Sequence, residues 1–502
     1  MRKASTLLLG ICLTLPLQAQ DSPDLQLPQA TRILPGPPTT ASCEYVNDYI
    51  QYKWGISVRQ QKPGIHAHAY IKWNFDGFLK SLSEVLPFSL SEQDTPAIHQ
   101  LLRYASRHAE TMIKTTQEAT SRKRPFTQYG ETPFVLAMQR QYESVGSYPS
   151  DQAVLGWLYA LILSEVYPEN VDEILKYGYE YGPAMIISGY SYASDVMAGH
   201  LLGSALLSRL HGDAEFGILL TAAKVEARQL AGNATRTTTR ADFEAFISPS
   251  DLPNSTVYLP QAPGELSSHF MCDLSMYRDG KYQRSLDAGK KAIEDVEYSA
   301  DNFCKIYSEV LGVSISASAT PAIYELLCRV HPSGNAATQG ARGDYLRKRP
   351  YVYMNEPSAY PDDDDHLRDS GSYPSGHASG SWLMALVLSE VTRWHQDELL
   401  ARAYQFGQGR VITGFHWQSD VDAGRMVGCA VYAFLHTSDA FLAQMQKAVK
   451  EFQTVYGGKT GVRQVEAATE KAAPIYTLSG VRVEGTPSRS GIYIKGNQKI
   501  VY

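Results

Sequence analysis

From Pro374 onward, apolar residues return at three- and four-residue intervals: Trp382, Leu383, Leu386, Val387 and Val391. That is the period of one buried helix face, so the spacing predicts a helix. Trp157, Leu158, Leu161, Ile162 and Val166 repeat it and predict a second. Strand-like alternation is scarce before residue 470, and the expected fold is mainly α. The end of the chain changes period. Residues 474–483 and 491–502 alternate apolar with polar side chains, with Gly496-Asn497 at a turn, which predicts a small β-hairpin module after a helical region ending near Gln464.

The two helical patterns are in one register. Leu34 and Leu259, Arg124 and Arg349, Pro149 and Pro374, Trp157 and Trp382, and Asp195 and Asp420 each lie 225 positions apart. The match runs from Leu34-Pro35 against Leu259-Pro260, through Thr95-Pro-Ala-Ile98 against Thr320-Pro-Ala-Ile323, to His211 against His436. This reads as an internal duplication with copies of about 200 residues, the size of one domain. The polar stretch 232–240 suits a linker, which puts the boundary near residue 245. The expected order is a signal peptide over 1–19, a helical domain over 20–245, a second over 246–464, and a β-rich tail over 465–502.

The ends and the charge narrow the class. Met1-Arg2-Lys3 before the apolar run Leu7–Leu17 and Gln18-Ala19 reads as a cleaved secretory leader, which predicts a periplasmic or secreted protein. Later apolar runs fall short of the ~20 residues that span a bilayer. A net charge of −6 argues against a nucleic-acid partner, because phosphate backbones are repelled by such a surface. Cys43, Cys272, Cys304, Cys328 and Cys429 remain beyond the leader and contain no C-x-x-C pair, so a thiolate metal site has no support. They allow at most two bridges within the chain and read as buried small hydrophobes with one bridge.

Candidate chemistry concentrates in the second copy. Arg342-Gly-Asp-Tyr-Leu-Arg-Lys-Arg349-Pro350 is followed by Gly371-Ser-Tyr-Pro-Ser-Gly-His377 and then by Arg410, His416 and Asp420. Ser375 and Gly376 precede a helix, where backbone N–H groups gather at the positive end of the macrodipole and form an anion cradle. Arg342, Arg349 and Arg410 supply a planar, always-charged clamp for phosphoryl oxygens. His416 is placed to attack phosphorus, with Asp420 four residues on to bind its other ring nitrogen and Ser419 as the cap of the following helix. His377 is placed to protonate the leaving group. The acidic run Asp362–Asp365 between the motifs reads as a solvated loop, and the chemistry requires no metal.

This order and spacing resemble the PAP2/haloperoxidase superfamily, and the Gly-Ser-Tyr-Pro-Ser-Gly-His form resembles the bacterial class A non-specific acid phosphatases. The resemblance covers most of residues 258–455. It implies an all-helical domain, a phosphomonoesterase working through a phosphohistidine on His416, small phosphomonoester substrates, and vanadate as an inhibitor. A vanadium-dependent haloperoxidase, with vanadate as cofactor, is the alternative on the same residues; a non-catalytic phosphate-binding module is the other. The family usually has lysine where Arg342 stands, which exchanges a point charge for a fork.

The first copy lacks this set. At the same offset Arg342 corresponds to Gln117, Gly376 to Asp151, His377 to Gln152, Arg410 to Met185 and His416 to Ser191, whereas Arg124 and Asp195 are retained. The expectation is a domain kept for folding or association, docked against the second copy, in a chain that could itself form a homo-oligomer.

Overall fold

The computed structural model describes residues 25–72, 74–231 and 245–460, with short strands between 475 and 501. The leader over 1–19, the linker over 232–240 and the Gly496-Asn497 turn lie outside the described residues. In the first half the main helices are α1 (Cys43–Val58), α2 (Pro96–Thr120), α3 (Asp151–Val166), α4 (Val171–Ser188), α5 (Ala193–His211) and α6 (Ala214–Leu230). The second half runs α7 (Ser268–Gln283), α8 (Pro321–Ala336), α9 (Gly376–Thr392), α10 (Gln396–Thr413), α11 (Gln418–Leu435) and α12 (Asp439–Thr460). The fold is mainly helical, as the apolar spacing predicts.

α3 and α9 are buried on nearly every side, because their sequences are apolar around the whole circumference. Each forms the centre of its half, α3 against α4 and α5, and α9 against α8, α10 and α11. The tryptophans of the repeated pattern, Trp157 and Trp382, are both fully buried. Apolar residues from both halves belong to one continuous core.

Polar contacts also cross between the halves. Trp382 Nε1 donates to Ser204 Oγ at 3.1 Å, and Ser208 Oγ donates to the Leu386 carbonyl at 2.9 Å. Arg209 donates to Ser389 Oγ and to Asp397 Oδ1, both at 2.7 Å.

The halves differ where the chemistry is expected. α2 runs unbroken for 25 residues, whereas α8 stops at Ala336 and a short helix, Gln339–Tyr345, follows. Pro332 stands in α8 where α2 has Arg107, and its missing N–H removes one bond of the helical ladder. Gly334 permits close crossing of α8 and α9, since a Cβ there would lie 2.8 Å from the Gly380 Cα. The break turns the short helix, and Arg342 with it, toward the start of α9.

All five described cysteines are free thiols, so the one bridge the sequence left open does not form. Among the described residues, no single helix is long and apolar enough to cross a membrane. Toward the end of the chain, β1 (Ile475–Thr477), β2 (Arg482–Val483), β3 (Ile492–Lys495) and β4 (Gln498–Val501) pair in the order β2-β1-β3-β4. All pairs are antiparallel, with β3 and β4 in register from Ile492↔Val501 to Lys495↔Gln498.

Candidate active site

Ser375 caps α9, its Oγ accepting from Ala378 N at 3.3 Å. Its own N–H is committed to the Asp420 carbonyl at 2.8 Å, so the open donors at the helix start are those of Gly376 and His377 rather than Ser375. Gly376 is required there. A Cβ at this position would come within 2.3 Å of Asn335 Oδ1 and 2.7 Å of Arg342 Nη2, closing the space in front of the helix.

The three arginines predicted as a clamp converge on this point. Arg342 Nε donates to the Pro374 carbonyl at 3.0 Å, and its Nη1 to Asn335 Oδ1 at 3.3 Å. Arg349 is pinned by carbonyls: Nε to Leu367 at 3.1 Å and Nη1 to Phe415 at 3.1 Å. Arg410 lies over the Phe415 ring, 4.6 Å from its centroid, and is 1% exposed. Its Nε and Nη1 have no hydrogen-bond partner. Among the described residues none of the three is paired with a carboxylate. Buried guanidiniums without counter-ions are costly. Burial, then Arg349, pulls Arg410 down to about 9 and Arg342 down to about 10.

His416 lies among them, 1% exposed. Its Nδ1 is 2.8 Å from the Ser372 carbonyl, which can only accept, so Nδ1 carries the proton. Nε2, 3.2 Å from Arg349 Nη1, therefore holds the lone pair and faces the clamp. Burial first, then Arg349, Arg342 and Arg410, holds the ring well below the ordinary imidazole value. His377 is held down in the same way, by burial, Arg410 and His416, and its Nε2 is 3.1 Å from the Val296 carbonyl.

Asp420 departs from the role read in the sequence. Its Oδ2 lies 3.6 Å from His416 Nδ1, beyond a hydrogen bond, and accepts instead from the Trp417 N–H at 2.8 Å. Trp417, not Ser419, is the cap of α11, and Asp420 at the third position supplies one arm of a capping box by accepting from the Trp417 N–H. Ser419 Oγ donates to Asp273 Oδ2 at 2.6 Å.

Two residues that the sequence reading passed over hold this corner. Arg347 binds Asp420 Oδ1 at 2.5 Å and Asp273 Oδ2 at 2.6 Å, joining α7, the first motif and the start of α11. The first half repeats it: Arg122 binds Asp195 Oδ1 at 2.5 Å and Asp48 Oδ2 at 2.6 Å. The signal was available, since Arg122/Arg347 and Asp48/Asp273 keep the 225-residue offset.

In the first half the corresponding space is filled by its own side chains. Gln117 Nε2 makes the bond to Pro149 O, at 3.0 Å, that Arg342 Nε makes to Pro374 O, but brings no further donors. Gln152 is tied to both the N–H and the carbonyl of Lys72 at 3.0 Å each, and Ser191 Oγ bonds Ser150 Oγ at 3.0 Å. Asp151 accepts from the Tyr142 hydroxyl at 2.6 Å, where the second half has only a glycine hydrogen. The acidic run also differs from a solvated loop in part: Asp364 is 8% exposed and accepts from Ser358 N at 3.1 Å.

Comparison with known proteins agrees with this geometry. The PAP2 superfamily profile matches residues 335–442, which contain every predicted site residue. A non-specific acid phosphatase of Providencia stuartii is 38% identical over 216 residues, 43% of this chain and 87% of that protein. This chain belongs to the bacterial non-specific acid phosphatases of the PAP2 superfamily. A Salmonella typhi member named non-specific acid phosphatase is 40% identical over 215 residues, again 43% of this chain and 86% of the relative. An acid phosphatase of Zymomonas mobilis is 32% identical over 162 residues, or 61% of its length. A relative of nearly full length thus accounts for less than half of this chain.

Proposed function

We propose that this acid phosphatase hydrolyses small phosphomonoesters through a phosphohistidine formed on His416 Nε2. The observation that carries the reading is a neutral imidazole nitrogen facing three buried guanidiniums that lack carboxylate partners. A phosphoryl group supplies the missing negative charge. Arg342, Arg349, Arg410 and the N–H groups of Gly376 and His377 take its non-bridging oxygens, and the bond from phosphorus to the ester oxygen breaks as the bond to Nε2 forms.

His377 protonates the departing alkoxide. In the free site burial, then Arg410, disfavours its protonated form; a bound dianion offsets the arginine charge and raises its proton affinity, so the acid form is built with the substrate. Water then attacks the phosphohistidine, with His377 accepting its proton, and releases phosphate. Asp420 acts at one remove, by fixing the loop that carries His416.

The domain reading, also ours, is a tandem duplication: an inert first domain docked on the catalytic second, with a small β module appended, exported to the periplasm or beyond. Matching contacts at the 225-residue offset support it, as in the Arg122 and Arg347 clamps.

The test is rapid-quench trapping with a 32P-labelled aryl phosphate. An acid-labile, base-stable phosphoenzyme on His416 is expected, with none in His416→Ala; label on another residue overturns the mechanism. His377→Ala is expected to slow alkyl phosphates about a hundredfold more than activated aryl phosphates, within the usual range for acid catalysis. Equal losses on both would remove His377 from that role.

A further inference from the structure

At the junction of the halves, far from the catalytic residues, two histidines lie face to face. His211, at the end of α5, and His436, just past α11, have ring centroids 3.8 Å apart and planes inclined by 14°. Each meets a glutamate from the central helix of its own half. His211 Nε2 is 2.8 Å from Glu165 Oε1, and His436 Nε2 is 3.0 Å from Glu390 Oε2. Both pairs of equivalents keep the 225-residue offset, so the cluster is two copies of one dyad brought together. His436 and its own half's catalytic His416 are separated by the 18 residues of α11, roughly 27 Å at 1.5 Å per residue.

Three features suit this cluster to a divalent cation. Glu165, His211 and His436 present ligand atoms within 4.8 Å of one another. His436 Nδ1 is 2.9 Å from the Tyr432 carbonyl, which keeps a proton there, so the ring binds a metal through Nε2 once the proton that Nε2 now shares with Glu390 Oε2 at 3.0 Å is released, the arrangement typical of metal-bound histidines. Glu165 is 2% exposed, and its Oε2 has no hydrogen-bond partner. The ammonium of Lys224 stands 3.7 Å from that oxygen.

We propose that Glu165, His211 and His436, backed by Glu390, bind one Zn2+-type cation that joins the two halves. Imidazole nitrogen and carboxylate oxygen are the usual non-thiolate donors for zinc, and three protein ligands with a fourth position for Glu390 or water complete a tetrahedron. At Zn–N distances of about 2.0–2.1 Å, tetrahedral ligands stand about 3.3 Å apart, so on binding the furthest donors close by up to about 1.5 Å while His211 Nε2 and Glu165 Oε1, now 2.8 Å apart, open slightly. The rings are nearly parallel and their lone pairs do not yet converge. His211, the less buried of the two and next to Gly212, is the ring that turns. The ion thereby replaces a hydrogen-bonded stack with a coordination bond across the junction.

Isothermal titration of full-length, chelator-treated protein with ZnCl2 at neutral pH tests this, with the His377→Ala/His416→Ala double variant separating any binding at the catalytic histidines. One Zn2+ per chain is expected in both proteins, with a rise in the thermal midpoint and imidazole backscattering in the zinc X-ray absorption spectrum. His211→Ala and Glu165→Gln are expected to weaken binding at least tenfold. Because His436→Ala removes a fully buried ring, the less buried His211→Ala decides the case if His436→Ala does not fold. No binding, or binding unaltered in folded His211→Ala, overturns the proposal, as does loss of binding in the catalytic double variant alone.

Discussion

At the scale of single residues, the candidate site is marked by missing counter-ions. A buried arginine ordinarily finds a carboxylate, yet Arg410 keeps Nε and Nη1 unpaired. Burial first, and then the same arginines proposed to hold phosphate, hold the His416 ring well below the ordinary imidazole range, which favours its neutral form. The sign can be checked by removing one charge. After burial, the charge of Arg410 does most to lower His377, and it also lowers His416. Arg410→Gln should therefore raise the proton affinity of both rings, moving their histidine NMR titrations to higher pH, and raise KM by roughly ten- to a hundredfold through loss of charge-assisted hydrogen bonds of about 1.5–3 kcal/mol. Titrations that stay put or move down would mean that burial alone sets these values.

At the scale of elements, what the sequence disclosed and what it hid follow from range. Helices marked by apolar period and the helix start at Gly376 depend on local order, and both were legible, although the Ser375 N–H expected to face an anion is bonded to the Asp420 carbonyl. The Arg347 clamp joins residues from three separate segments, and only the retained offset of Arg122 and Asp48 hinted at it. Asp420 illustrates the confusion that spacing allows: four residues after a histidine it reads as the ring's partner, but three residues into a helix its nearest donor is the Trp417 N–H. The short helix after the break in α8 was likewise invisible to periodicity, because Gln339–Tyr345 holds a single buried residue, Ala341. Retention of the clamp in the half that lacks His416 assigns it to architecture. Arg347→Ala leaves Asp273 and Asp420, with side chains 3% and 0% exposed, without their cation. The expected cost is about 3–5 kcal/mol in denaturant unfolding. Arg122→Ala should cost a similar amount while the folded fraction keeps its kcat; a fall in kcat with unchanged stability would make the first-half clamp part of the chemistry.

At the scale of the whole molecule, a continuous core means that the first half is more than a passenger on a flexible tether. Helix α9 buries Trp382, Leu386 and Ser389 partly against α5, and Asp397 takes its charge partner, Arg209, from the first half. An isolated second half presents those groups to water, with an unpaired Asp397 and an uncovered apolar face. In a chain that is its own partner, that contact is always at high effective concentration, so there is no selection for a surface that tolerates exposure. Removal of residues 21–240 is therefore expected to yield protein that aggregates or self-associates, with a lower thermal midpoint, even though the three arginines, His377 and His416 remain. Supplying the first half as a separate chain should recover soluble, active material by re-covering the face, a result read by size-exclusion chromatography and turnover of an aryl phosphate. A truncated chain that is monomeric, equally stable and equally active would overturn this account and leave the first half with a purpose separate from supporting the second.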